Sequence, residues 1–237
     1  MSVGPPAPAP YVSRIVPVDR RGRRVRVELD DDSAIELALE VVERAGLGVG
    51  DPAEPELRAE LLDQDLRWRT REVALGFLAH RVRSRGEVQR RLRTEDFPPH
   101  IVDACLEQLA AQGLLDDAAF ADLFVRDRLN LKPSGPARLR HELRGKGVAP
   151  EVAQAAIERG LDHAGHTDQS LAVSVALRWL SGKGARERAA LASAAYGGER
   201  EGALRRLIGF LQRRGFGGDA VRAAVAAVDA EARRAEG

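Results

Sequence analysis

One apolar frame recurs three times along this chain, and it limits what the chain can fold into. Val88 and Leu92 stand one helical turn apart. So do Leu139 and Leu143, 51 residues later, and Leu207 and Leu211, a further 68 on. Five residues past the second member of each pair stands Phe97, Val148 or Phe216. Nine past it stands Ile101, Val152 or Ala220, and fourteen past it Leu106, Ile157 or Val225. Pro99 and Pro150 also correspond. Such spacing lines one stripe of a helix. A short helical hairpin buries that stripe only against a neighbour, so the frame predicts stacked three-helix units.

The junction between the first two units lies in Leu109 to Arg128. Gly113 follows a helical run, where a C-cap glycine is expected. Leu114 and Leu115 are apolar bridging residues. Asp116 and Asp117 stand where a carboxylate caps a helix start. Phe120, Leu123, Phe124 and Leu131 then mark the expected stripe of the next helix. Upstream, Leu66, Val73, Leu75, Leu78 and Val82 form the apolar set of the first helix. Ser84-Arg85-Gly86-Glu87 fits a capping box that opens the second.

The N-terminal part differs. Tyr11 to Val18 and Arg24 to Leu29 alternate apolar and polar residues around the turn Asp19-Arg20-Arg21-Gly22-Arg23, which predicts a β-hairpin. Ser33 to Leu37 adds a candidate third strand, and Leu39 to Ala45 a short helix ended by Gly46. Gly46, Gly48 and Gly50 have phosphate-loop spacing, but they follow a helix and precede Pro52. A phosphate loop needs a strand before it and a helix start after it.

Composition narrows the class. Net charge is +1, and aromatics are only 4%, low for a protein that stacks many bases. A single cysteine, Cys105, excludes an internal disulfide and reads as a core residue. No apolar run approaches the roughly 20 residues of a membrane span. The start MSVGPPAPAPY reads as a disordered tail without signal-peptide character, so the expected location is the cytoplasm.

The small net charge conceals segregation. Glu28 to Asp65 holds 13 acidic and 2 basic residues. Arg67 to Arg93 holds 9 arginines against Glu72 and Glu87, and Arg126 to Lys146 holds 7 basic residues against 2 acidic. Basic clusters that recur in this way are candidate contacts for nucleic acid or an acidic partner. The candidates are Arg81, Arg83, Arg85, Arg90, Arg91 and Arg93 in the first unit. In the second they are Arg126, Arg128, Lys132, Arg138, Arg140, Arg144 and Lys146. Arg138, Arg140 and Arg144 are expected to be exposed, away from Leu139 and Leu143.

Enzyme chemistry has little to stand on. His163 and His166 lie near Asp162 and Asp168, but a structural zinc site wants four ligands, usually with cysteine. Asp116 and Asp117 suit helix caps better than a magnesium pair. No serine or cysteine nucleophile has a recognisable base nearby in sequence. Neither a cofactor nor a metal is expected.

Three motifs carry a family resemblance. They are Ala74-Leu75-x-x-Leu78-x-x-Arg81-x-Arg83-Ser84, Gly113-Leu114-Leu115-Asp116-Asp117-x-x-Phe120-Ala121-x-x-Phe124-Val125-x-x-Arg128, and Leu139-x-x-Glu142-Leu143-x-x-Lys146-Gly147-Val148. In this order and spacing they resemble the RecX family, regulators of the RecA recombinase. The resemblance covers about Tyr11 to Val228. The chain departs from it at Asp96-Phe97, where a glycine often precedes the aromatic, and in a long third unit. The resemblance implies a non-catalytic protein that binds RecA, usually as filaments on single-stranded DNA, and suppresses its ATPase and strand exchange. It also implies contact with single-stranded DNA in some members.

The expected fold is mainly α: three tandem three-helix repeats in an elongated stack, with a small N-terminal β-hairpin or three-stranded segment. The expected divisions are a tail (1–10), a β/α segment (11–55) and repeats over 56–117, 118–165 and 166–237, with an insertion near 181–198. A monomer that keeps clear of membranes is expected. Two other functions fit a basic three-helix unit: a helix-turn-helix-like DNA-binding regulator, and a general helical scaffold for protein partners.

Overall fold

A computed structural model describes residues 9–193 and 197–235. Among the described residues the chain forms three strands and eleven helices: β1 (Val12–Pro17), β2 (Arg24–Leu29), β3 (Ala34–Ala38), α1 (Leu39–Ala45), α2 (Pro55–Leu78), α3 (Arg85–Arg93), α4 (Pro99–Ala111), α5 (Asp117–Leu131), α6 (Pro136–Gly145), α7 (Pro150–His163), α8 (Asp168–Ser181), α9 (Ala185–Ala192), α10 (Gly198–Arg213) and α11 (Gly218–Arg234). They divide into two compact units. One holds residues 9–82 and 88–114, and the other residues 83–87, 115–193 and 197–235. The expected tail falls outside the described residues over 1–8.

In the first unit the sheet is antiparallel in the order β1-β2-β3. Val25, Val27 and Leu29 alternate inward from β2 and close with Val12, Leu37, Val41 and Val42 into a small core. Gly46 ends α1 in the left-handed region, φ +66°. The buried face of α2 carries Leu61, Asp65, Thr70 and Ala74. The expected set Leu66, Val73, Leu75 and Leu78 is only half-buried, and Val82 is exposed. Two polar residues take the inner face because each has a partner there. Thr70 Oγ1 donates to the Leu66 carbonyl at 2.8 Å. Asp65 accepts the Ala38 N–H at 2.7 Å and pairs with Arg24 and Arg69, both at 3.1 Å. A buried carboxylate is tolerable only when paired in this way. Val88, Leu92, Ile101, Val102, Cys105, Leu106 and Leu109 are buried on α3 and α4. Burial pushes the Cys105 thiol above its ordinary pKa against a smaller pull from Arg71, as suits a core cysteine.

In the second unit the Asp116 carboxylate caps α5, accepting the Ala118 and Ala119 N–H groups at 2.8 and 2.9 Å. The stripe that α5 buries is Phe120, Ala121, Val125 and Leu129. This corrects the expected one: Leu123 and Phe124 are half-buried and Leu131 is 82% exposed. Helix α5 turns its small residues toward α7, where Gly160 permits a close approach. A Cβ on Gly160 would stand 2.5 Å from Val125 Cγ1. The recurrent pairs Leu139 and Leu143, and Leu207 and Leu211, are fully buried, as are Val88 and Leu92 in the first unit. Within the expected insertion near 181–198, α9 forms and buries Leu191. Residues 194–196 of it lie outside the described residues. Arg200 fastens α9 in place: it donates to the Leu191 and Ser193 carbonyls and grips Asp229 on α11 with two bonds of 2.7 Å.

A backbone joint occurs twice in this unit. Gly147, at φ +84°, follows α6. The Lys146 carbonyl before it accepts the buried Ser84 hydroxyl at 2.6 Å, and a Cβ on Gly86 would meet that same carbonyl at 2.6 Å. Gly215, at φ +85°, follows α10. The Arg214 carbonyl before it accepts the Gly135 N–H at 2.8 Å, and a Cβ on Gly135 would meet the Gly215 carbonyl at 2.4 Å. In both joints a glycine opening one helix lies against the turn that ends another, closer than any side chain allows.

Candidate partner-binding face

Helices α3 and α6 each bury two apolar residues and turn arginines outward. Ser84 and Glu87 form the expected capping box before α3: the Glu87 N–H donates to Ser84 Oγ at 3.2 Å and the Ser84 N–H to Glu87 Oε2 at 3.3 Å. Pro136 opens α6. The two helices correspond at an offset of 51 in their contacts as well as in their buried residues. Gln89 reaches Asp103 at 3.4 Å, and Arg140 reaches Gln154 at 3.0 Å. Arg93 and Arg144 are then equivalent, and both are exposed.

The candidate cations differ in exposure and in what they touch, and Arg140 is exposed with its bond to Gln154. Arg90, Arg93, Arg126, Lys132 and Arg144 are exposed, with no side-chain partner among the described residues. Arg91 is exposed but pairs with Glu95 at 2.6 Å, and Arg81 is exposed and donates to the Val82 carbonyl. Arg83 and Arg85 are half-buried, and the Arg85 backbone N–H donates to Asp117 at 2.7 Å.

Three others are committed to holding the fold. Arg138 was expected to be exposed, but it is half-buried. It donates to Glu142 at 2.9 Å and to the Arg213 carbonyl at 2.9 Å, because the turn after α10 packs against the start of α6. Arg128 meets the same Glu142 at 2.7 Å and lies 4.9 Å from the Phe124 ring centroid. Lys146 pairs with Glu87 at 3.2 Å and lies 5.5 Å from the Phe124 centroid.

Glu142 sits between Arg128 and Arg138. Burial alone would push its carboxyl up, but the hydrogen bonds and charges of both arginines outweigh that, and its pKa lies below the ordinary value. A depressed carboxylate adds stability above its unfolded pKa of about 4.3, and that stability fades as pH falls through the folded value. Glu142→Gln is therefore expected to be less stable than the native chain at pH 7, with the gap closing in acid. Urea midpoints measured from pH 7 down to pH 3 check this, and a gap that widens in acid would contradict it.

Sequence reasoning missed one group altogether. Trp179 on α8, Lys183 just after it, and Arg205, Arg206, Phe210 and Arg213 on α10 line one groove. The signal was present in the arginines at i, i+1 and i+8 of α10, masked by the irregular spacing of the third repeat.

Comparisons with known proteins bear on this arrangement. The family model described as RecX, first three-helix domain, matches residues 71–109, and RecX, second three-helix domain, matches residues 116–157. The chain is 38% identical over 165 residues to a regulatory protein RecX of Halorhodospira halophila, across 69% of this chain and 91% of that one. It is 42% identical over 84 residues to a regulatory protein RecX of Prosthecochloris aestuarii, across 35% of this chain and 56% of that one. A solved structure of regulatory protein RecX superposes with a TM-score of 0.66 at 23% identity, covering 91% of this chain and 98% of its own. At that identity the likeness speaks for the fold. No helix among the described residues is long and apolar enough to cross a membrane.

Proposed function

The chain belongs to the RecX family of regulatory proteins, and on that premise we propose that it binds the RecA recombinase, as filaments on single-stranded DNA, and suppresses RecA's ATP hydrolysis and strand exchange. It does so by binding and carries out no chemistry of its own. Such a partner places its action in the cytoplasm. One observation carries the reading: equivalent positions of α3 and α6 present exposed, unpaired cations, Arg93 and Arg144, each beside a second exposed arginine, Arg90 or Arg140. Two similar faces on one chain suit a polymeric partner, because engagement of one raises the effective concentration of the other.

Two double reversals test this, Arg90→Glu with Arg93→Glu and Arg140→Glu with Arg144→Glu. Arg138, Arg128 and Lys146 stay native because they hold the fold. Exposed substitutions change stability by only about 0.5 kcal/mol, whereas like charges facing a partner cost several kcal/mol. Each pair is expected to weaken binding to RecA filaments at least about tenfold, and both together to abolish it. Co-sedimentation with filaments reads the result. Undiminished binding by the fourfold variant, with unchanged circular dichroism, would remove these faces from the interface.

A further inference from the structure

We propose that the groove between α8 and α10 holds a short run of single-stranded nucleic acid, with one base stacked on Trp179 and flanking phosphates on Arg205 and Arg213. The groove encloses about 500 Å³. Trp179 and Phe210 are half-buried in it, with ring centroids 6.2 Å apart. Aromatic content is low across the chain, yet these two rings meet where cations converge. Lys183 Nζ lies 4.3 Å from the Trp179 centroid and the Arg214 guanidinium 4.8 Å from that of Phe210.

Along α10 the residues Gly202, Arg205, Arg206, Gly209 and Arg213 share this face, at helical spacing. The two glycines keep it low: a Cβ on Gly209 would stand 3.1 Å from the Arg213 guanidinium, and one on Gly202 3.4 Å from that of Arg206. Lys183 and Arg206 share the Glu187 carboxylate, at 3.6 and 2.9 Å. Arg205 and Arg213 are exposed and form no ion pair among the described residues. Positive charge is therefore in excess. Burial lowers the Arg214 pKa, and the charges of Arg138 and Arg178 lower it further.

Two features select the ligand. Arg205 and Arg213 are eight residues apart on one helix, roughly 12 Å at about 1.5 Å per residue, too far for one phosphate. A second concavity of about 450 Å³ shares Arg213 and runs on to His141 and Arg138 on α6. The site thus fits an extended polyanion. Half-exposed rings favour one whose bases are free to stack, a single strand over a duplex or an acidic protein surface. On binding, a base replaces the Lys183 ammonium over the indole, and the flexible lysine swings to the neighbouring phosphate.

This inference is independent of RecA binding and is tested without RecA. The chain has two tryptophans, so Trp68→Phe leaves Trp179 as the reporter. An oligothymidylate of about a dozen nucleotides is expected to quench Trp179 emission in low salt. Arg205→Glu with Arg213→Glu should weaken binding at least tenfold and flatten the log–log salt dependence by about 1.4, two contacts at about 0.7 each. Absence of quenching in the Trp68→Phe chain would overturn the proposal. So would quenching unaffected by the double reversal, with circular dichroism unchanged, or equal quenching by a duplex of the same length. Equal quenching by polyglutamate would assign the groove to an acidic protein surface instead.

Discussion

Phe120→Ala is expected to destabilise the second unit by about 3–5 kcal/mol, the range for deleting a buried phenylalanine. The ring is 4% exposed and stacks on Phe124 with centroids 6.3 Å apart. It belongs to the continuous core that Ala121, Val125, Leu139 and Leu143 share, so its removal leaves a cavity that neighbours held by two helices fill only in part. Phe124 is half-buried, with the Arg128 and Lys146 side chains against its ring. Phe124→Ala should cost less, about 1–2 kcal/mol, from partial loss of apolar burial and two cation–π contacts. Leu131→Ala, at an 82% exposed site, should lie within about 0.5 kcal/mol of the native chain. Urea unfolding of the three variants orders them. A Leu131 or Phe124 effect larger than that of Phe120 would contradict the burial pattern of α5.

Gly215→Ala is expected to cost about 2–6 kcal/mol. About 1–3 of that comes from holding an L-residue at φ +85°, and a similar amount from the clash of its Cβ with the Arg138 backbone nitrogen, 2.4 Å away. Gly165→Ala separates the two causes. Gly165 also has a positive φ, +66°, but nothing lies within 4 Å of its Cβ position, so strain alone applies, about 1–2 kcal/mol. Thermal midpoints of the two variants give the comparison. Equal losses would mean that the close approach of α10 to α6 contributes nothing.

The β-hairpin, α1 and the recurrent pairs were legible because period and punctuation agreed there. Alternation marked β2, Gly46 marked the end of α1, and Val88, Leu92, Leu139, Leu143, Leu207 and Leu211 repeat a spacing that only burial explains. The stripe of α5 was not legible, because large side chains draw the eye and Ala121 and Val125 do the packing. Their role depends on Gly160, 35 residues downstream from Val125. Nor was the commitment of Arg138 legible, since the carbonyl it meets is at Arg213, 75 residues away. Helical periodicity reports which side of its own helix a residue occupies, and is silent on what packs beside that side. The paired glycine joints left a trace in Gly147 and Gly215, at the same offset of 68 as the leucines, yet their closeness to Gly86 and Gly135 exists only in three dimensions. The groove at Trp179 was hidden in the same way, with most of its lining on α10 and the rest on and just after α8.

The central claim is that this chain restrains RecA through cations repeated on α3 and α6. The direct measurement is ATP hydrolysis by RecA on single-stranded DNA, with increasing amounts of the native chain and of the fourfold variant Arg90→Glu, Arg93→Glu, Arg140→Glu and Arg144→Glu. Hydrolysis should fall as the native chain is added, and should stay at its starting rate with the folded variant. Hydrolysis that is unchanged by an equimolar amount of the native chain, or suppressed equally by both proteins, would contradict the claim.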